Sequence, residues 1–173
     1  MKYAAMLAIA ALTLGIGTMS AQACDPFANK GAVPTRLPAS LLARNNAHAP
    51  ARHSIVGLWH VVHTDSSGNF LFEGFDLWHS DGTEEEMANL PPATGPVCFG
   101  VWTQNGKTIE LLTHVAFTYD LNNNFTGTIN LTEANKMSKD GNSFSGTFDL
   151  KQYDADGNLV GEATGTSAAD RLD

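Results

Sequence analysis

The sequence predicts an all-β protein: an eight-stranded antiparallel meander β-barrel preceded by a leader and a short irregular arm. Three observations carry that expectation. From Ile55 onward, apolar and aromatic runs of strand length are cut by turn signals at short, fairly even intervals, at residues 65–69, 80–83, 90–96, 104–107, 121–124, 139–142 and 154–158. Seven connections join eight strands. Second, Asp81-Gly82, Asn105-Gly106, Asp140-Gly141 and Asp156-Gly157 supply the positive φ values that a tight hairpin turn demands. Third, connections this short make each strand pair with its predecessor, and closing the sheet removes its exposed edges. A two-sheet sandwich with Greek-key crossings ranks second, because it needs longer connections.

The leader comes first in the chain. Met1-Lys2 gives a positive start, residues 6–17 are almost wholly apolar, and Ala21-Gln22-Ala23 is a small-x-small cleavage signal. Residues 1–23 therefore read as a signal peptide, 24–53 as an arm and 54–173 as the barrel, in a protein that is exported and periplasmic or secreted. No later stretch is apolar enough to insert in a membrane. Cleavage would leave Cys24 first, which raises a lipid anchor as an alternative, although Ala21 and Gln22 depart from the usual lipoprotein signal. An oxidising compartment would equally permit a disulfide between Cys24 and Cys98. The arm is rich in Pro, Ala, Asn and Arg, with a short helix expected at residues 39–44. The formal net charge of −8 becomes one unit more negative when Lys2 leaves, so nucleic acid and anionic membrane are poor partners.

Two-residue loops fix register, because the flanking residues must pair. Centring the last hairpin on Asp156-Gly157 sets Lys151 opposite Glu162 and Leu150 opposite Ala163; centring on Asp140-Gly141 sets Met137 opposite Phe144. Around Asn105-Gly106, Trp102 should face Ile109 and Cys98 should face Thr113. Alternation turns Ile129, Leu131 and Met137 inward, with Phe144, Phe148 and Leu150 beside them. The last strand offers only Gly161, Ala163, Gly165, Ser167 and Ala169, which leaves room for a ligand or for the large rings opposite.

Gly57-Leu58-Trp59 on the first strand resembles the Gly-x-Trp opening of lipocalins and related calycin barrels. Arg171, near the end of the last strand, stands where that superfamily often has a basic residue packed across the tryptophan. The resemblance covers residues 55–172 in architecture. It implies a barrel, an inward Trp59 packed by Arg171, and a cup for a small hydrophobic or aromatic molecule. Trp59, Phe72, Phe148 and Tyr153 would line that cup, with His63 or His79 adding polarity. Some barrels of this shape instead catalyse isomerisation, cyclisation or elimination.

For chemistry, the most suggestive segment runs from Phe75 to Glu84. If Asp81-Gly82 is a two-residue loop, His79 lies opposite Glu84, and a carboxylate beside an imidazole favours its charged form and fixes its ring. His114 or Asp76 would supply the second acid or base. His60 and His63, three apart on a strand, point to opposite faces and cannot share a metal; an inward Trp59 makes His63 inward and His60 outward. The apolar side of 109–117 comprises Ile109, Leu111, Val115 and Phe117, which places His114 outside unless a bulge reverses it. Glu133 shares parity with Leu131 and would need His63 or Arg171 as a partner. Cys98 reads as buried and inert, and no metal site or cofactor is expected. Phosphate loops, His-Glu-x-x-His, Gly-x-Ser-x-Gly and Cys-x-x-Cys-His are absent from the sequence. Three function classes remain: a binder of a small hydrophobic or aromatic molecule, a cofactor-free lyase, isomerase or cyclase of the same shape, and a structural or interaction domain of the cell envelope.

Overall fold

Alternating side chains and Asp-Gly turns build β1 (Gly57–Asp65), β2 (Phe70–Trp78), β3 (Thr83–Ala88), β4 (Val97–Asn105), β5 (Thr108–Tyr119), β6 (Phe125–Met137), β7 (Ser143–Asp154) and β8 (Leu159–Arg171). In the computed structural model each strand pairs antiparallel with the next, and β8 returns to β1 to close the barrel. The structure describes residues 36–37, 53–90, 97–120 and 122–173. The leader, Cys24, the short helix expected at 39–44 and most of the 90–96 connection lie outside the described residues.

The turns divide by barrel end. Those after β1, β5 and β7 share one device: Asp65, Asp120 and Asp154 each accept a backbone N–H two residues on and another four residues on, the latter from Asn69, Asn124 and Asn158. The Asn side chain closes back on the same carboxylate, and these bonds hold the three exposed carboxyls below the ordinary aspartate value. The last two hairpins have the expected register, with Lys151 opposite Glu162, Leu150 opposite Ala163 and Met137 opposite Phe144.

Two hairpins differ from the expectation. In the β4–β5 hairpin Asn105 pairs with Thr108, so Trp102 faces Leu111 rather than Ile109, and a bulge at Val101/Trp102 shifts the remainder. That places Gly100 opposite His114 and Val101 opposite Thr113, so Cys98 does not face Thr113. In the β2–β3 hairpin Trp78, not His79, pairs with Glu84. Asp81 accepts hydrogen bonds from the Thr83 N–H and hydroxyl, Gly82 takes φ +90°, and His79 N–H donates to Thr83 O, which draws His79 into the turn.

One end of the barrel is sealed by rings. Trp59 is fully buried, donates from Nε1 to Ile55 O at 2.7 Å and packs on Phe144 with centroids 5.0 Å apart. The Arg171 guanidinium lies 4.1 Å from the Trp59 ring centroid and donates to the carbonyls of Val56, Gly141 and Ser54. A buried cation over an indole contributes ~2 kcal/mol. The inward Trp59 and its packing by Arg171 are thus present, and both residues close the floor of the barrel.

Candidate functional site

Above that floor the interior turns polar. On β3, Glu84, Glu86 and Ala88 alternate inward; Asp76 on β2 pairs with Glu86, and Gly100 on β4 pairs with Glu84. Two glycines make room for these long carboxylates. A Cβ on Gly74 would run into the Glu86 side chain, and one on Gly100 would meet the Glu84 carboxylate as well as Leu111 at 2.9 Å. His114 arrives by the bulge that alternation alone could not reveal. The β5–β6 pairing skips from Leu111 to Val115, so Ile109 and Leu111 point inward before the skip and His114 and Ala116 after it. Asn130 holds the irregularity, accepting at Oδ1 from the Thr113 hydroxyl at 2.9 Å and the His114 N–H at 3.2 Å.

These groups form one chain across the barrel. His114 Nδ1 lies 2.9 Å from Glu84 Oε2, and His114 Nε2 lies 3.2 Å from Glu86 Oε2. Glu86 Oε1 is 3.8 Å from His63 Nε2, whose Nδ1 is 3.7 Å from Glu133 Oε1 and 3.2 Å from the Ser167 hydroxyl. Ser167 donates in turn to Glu133, and Asn135 Nδ2 donates to Glu133 Oε2 at 2.6 Å. Every member is buried. His63 also forms one side of a ring wall, stacked on Phe72 at 4.3 Å and meeting Phe148 edge-on at 5.5 Å.

Burial and mutual charge push the carboxyls apart. Asp76 is held well above the ordinary aspartate value, first by burial and then by the negative charges of Glu86, Glu84 and Glu133. Glu84 is raised by burial against the opposing hydrogen bond from His114. For Glu86 burial also pushes upward, but the His114 hydrogen bond and the charges of His63 and His114 together outweigh it and the carboxyl is lowered. Burial pushes His114 down, yet its bonds to Glu84 and Glu86 and their charges leave it well above the usual imidazole value. The arrangement places the His114 imidazole, its proton affinity raised, between Glu84 and Glu86, and sets Asp76, whose proton affinity is raised, directly across the strand pair from Glu86, whose proton affinity is lowered. Asp76 Oδ1, Glu84 Oε1, Glu86 Oε1 and Asn135 Oδ1 have no hydrogen-bond partner among the described protein groups. Leaving such atoms unmet costs ~1–3 kcal/mol each, so this interior is expensive to keep for packing alone.

Of the residues singled out from sequence, Glu84, His114, Asp76, His63, Phe72 and Phe148 face this interior, and Glu133 is inward with His63 as its partner. His79 does not join them: its half-exposed side chain lies 3.8 Å from Glu85, not Glu84. Tyr153 takes the opposite parity to Phe148 and Leu150 and is half-buried. Gly165 offers no free space, since an added Cβ would meet the Phe148 ring at 2.7 and 2.8 Å; here the large ring opposite fills the gap. Glu86, Ser167 and Asn135 were not recognised as site members. The signal for Glu86 was its parity with Glu84, but a run of three glutamates reads as a solvated edge. His60 is on the outer face as expected, yet buried, with Nε2 at 2.8 Å from Glu73, which also accepts from the Leu37 N–H.

Glu86, Cys98 and His114 offer ligand atoms within 4.8 Å of one another. Cys98 is disulfide-bonded, so its sulfur is not a thiolate, and two remaining donors are too few for a protein metal centre. Cys24, the other cysteine of the chain, lies outside the described residues. No protein-family model matches the chain, and no curated protein matches it. The closed eight-stranded barrel is consistent with a calycin-like fold.

Proposed function

We propose that this chain is an exported calycin-like barrel whose interior performs cofactor-free proton transfer on a small molecule, as a lyase, isomerase or cyclase. The observation that supports it is the opposed pair Asp76 and Glu86, adjacent in register and buried together, with burial and neighbouring carboxylates raising the proton affinity of the first, and His114, hydrogen-bonded to the second, lowering that of the other. Acid and base roles divide in this way when neighbouring groups have their proton affinities driven apart. Asp76 donates a proton to the substrate and Glu86 removes one. His114, steadied by Glu84 on its other nitrogen, holds positive charge beside Glu86 and keeps that carboxylate ionised before the transfer. Phe72, His63 and Phe148 pack into an apolar, aromatic side of the interior next to these groups, which suits an apolar or aromatic substrate. Export rests on the leader sequence, and the disulfide at Cys98 accords with an oxidising compartment.

Binding without chemistry is the second reading, favoured by that same ring wall. Deuterium wash-in separates the two. The protein is purified from its native compartment, any small molecule it retains is identified by mass spectrometry, and that molecule, with a panel of enolisable carbonyl compounds, is incubated with protein in deuterated buffer. Proton-transfer catalysis introduces deuterium or converts the compound, and Asp76→Asn or Glu86→Gln slows this by ~10²–10⁴-fold with the fold intact. A retained molecule that leaves unchanged and unlabelled, with no labelling in the panel, means a carrier.

A further inference from the structure

We propose that the outer wall of β1–β5 is a self-association surface that joins two copies of this chain about a two-fold axis. Register places its side chains in two rows. Leu58 pairs with Leu77, and the row continues through Glu85 and Phe99 to Val115; alongside it Phe75 pairs with Met87, which pairs with Val97. Phe117 extends the second row on β5. These side chains are a third to nearly two thirds exposed, with Met87 at 55%, Phe99 at 57% and Phe117 at 62%. The largest apolar patch of an ordinary monomer is ~300–600 Å² and scattered single residues need no explanation. Here the half-exposed Leu, Phe, Met and Val are not scattered but form two continuous rows across five strands.

The occupant follows from charge and shape. The chain is strongly acidic, at −8, while the two rows hold a single charged side chain, Glu85. Copies of an acidic protein meet with least repulsion there, and an anionic surface gains nothing from it. A groove of about 350 Å³ is lined by Leu58, Phe75, Leu77, Met87 and Val97, together with Glu85 and Glu86. Phe99 stands beside it in the neighbouring row, 57% exposed. Knob and groove on one face are what an isologous pairing uses: a two-fold axis seats Phe99 of each copy in the groove of the other. The closed barrel has no free strand edge, so association proceeds through side chains and not by strand addition.

Sedimentation velocity on the full exported protein from 1 to 100 μM tests this, with Phe99→Asp and Met87→Lys on the wall and Leu159→Asp, a comparably exposed apolar residue on β8, as the control. The expected result is a wild-type dimer whose dissociation constant rises at least a hundredfold in both wall variants and is unchanged in the control, with circular dichroism alike in all four. A wild type that stays monomeric at 100 μM overturns the proposal. So does a dimer that survives both wall substitutions, and so does a monomer that floats with phosphatidylcholine vesicles and loses that property on Phe99→Asp, which would make the wall a membrane contact.

Discussion

The β2–β5 wall and the β6–β8 wall of this barrel differ most on their outer faces, and in how many acidic groups they turn inward. On β6–β8 most inward residues are apolar, Ile129, Leu131, Met137, Phe144, Phe148 and Leu150, beside the buried polar Glu133, Asn135, Ser167 and Arg171, and the outward ones are mostly Thr, Ser, Asn, Lys and Asp. The outer face is that of an ordinary amphipathic sheet. On β2–β5 the interior receives Asp76, Glu84, Glu86 and His114, while Leu77, Met87, Val97, Phe99 and Phe117 face out. Both departures are costly to a lone soluble domain: buried carboxylates lose hydration and exposed rings gain none. The β2–β5 wall thus carries most of the buried acidic groups on its inner side and the exposed apolar rows on its outer side.

Substitutions can break or sharpen that contrast. The largest effects lie inside both walls, for different reasons. Phe148→Ala should cost ~3–5 kcal/mol by cavity formation, and His114→Ala about as much, because Glu84 and Glu86 lose the cation that pairs them. Denaturant midpoints measure both, and only the His114 loss should shrink in acid, where the stranded carboxylates take up protons.

Next in size is a change that stabilises. The folded state holds the Asp76 carboxyl well above 3.8, so its favourable contribution is complete below about pH 4 and is lost as pH rises through the folded value. Asp76→Asn has no such titration, and its stability relative to wild type should improve as pH climbs above 4, with a slope of up to one proton per molecule. His114, raised above 6.5, has the same sign: its contribution is full below that pH and lost as pH rises through its folded value. Glu86 has the opposite sign, contributing above 4.5 and losing that as pH falls through its lowered value. Thermal melts of wild type and variant from pH 4 to 9 check the signs. The smallest effect belongs to the outer face of the β2–β5 wall, where Phe99→Ser should change monomer stability by no more than ~0.5 kcal/mol, read by thermal melts at high dilution.

Hairpins whose turns are fixed by adjacent residues were legible before the structure. Asp140-Gly141 and Asp156-Gly157 carry the β6–β7–β8 register, and alternation there names the inward residues correctly. The site was legible only where local pattern suffices: His63 and Glu133 follow from parity, whereas Asp76 and Glu84 were singled out only as acid–base partners of His79, which the structure leaves outside. His114 depends on a bulge held by Asn130, a residue on another strand, and its own strand looks regular. Glu86 was hidden by Glu85, because a run of three acidic residues reads as a solvated edge until Gly74 and Gly100 are seen to make room inside. The His79–Glu84 pairing failed on a single residue of loop length, set by the Asp81–Thr83 hydrogen bonds.

Infrared titration of wild type against Asp76→Asn tests the central claim most directly, because the carboxylic-acid carbonyl band that disappears in the variant belongs to Asp76. The account predicts a band that persists well above the ordinary aspartate value of 3.8. A band already gone by about pH 4 would contradict it, leaving an ionised aspartate among ionised glutamates and no acid to oppose the base.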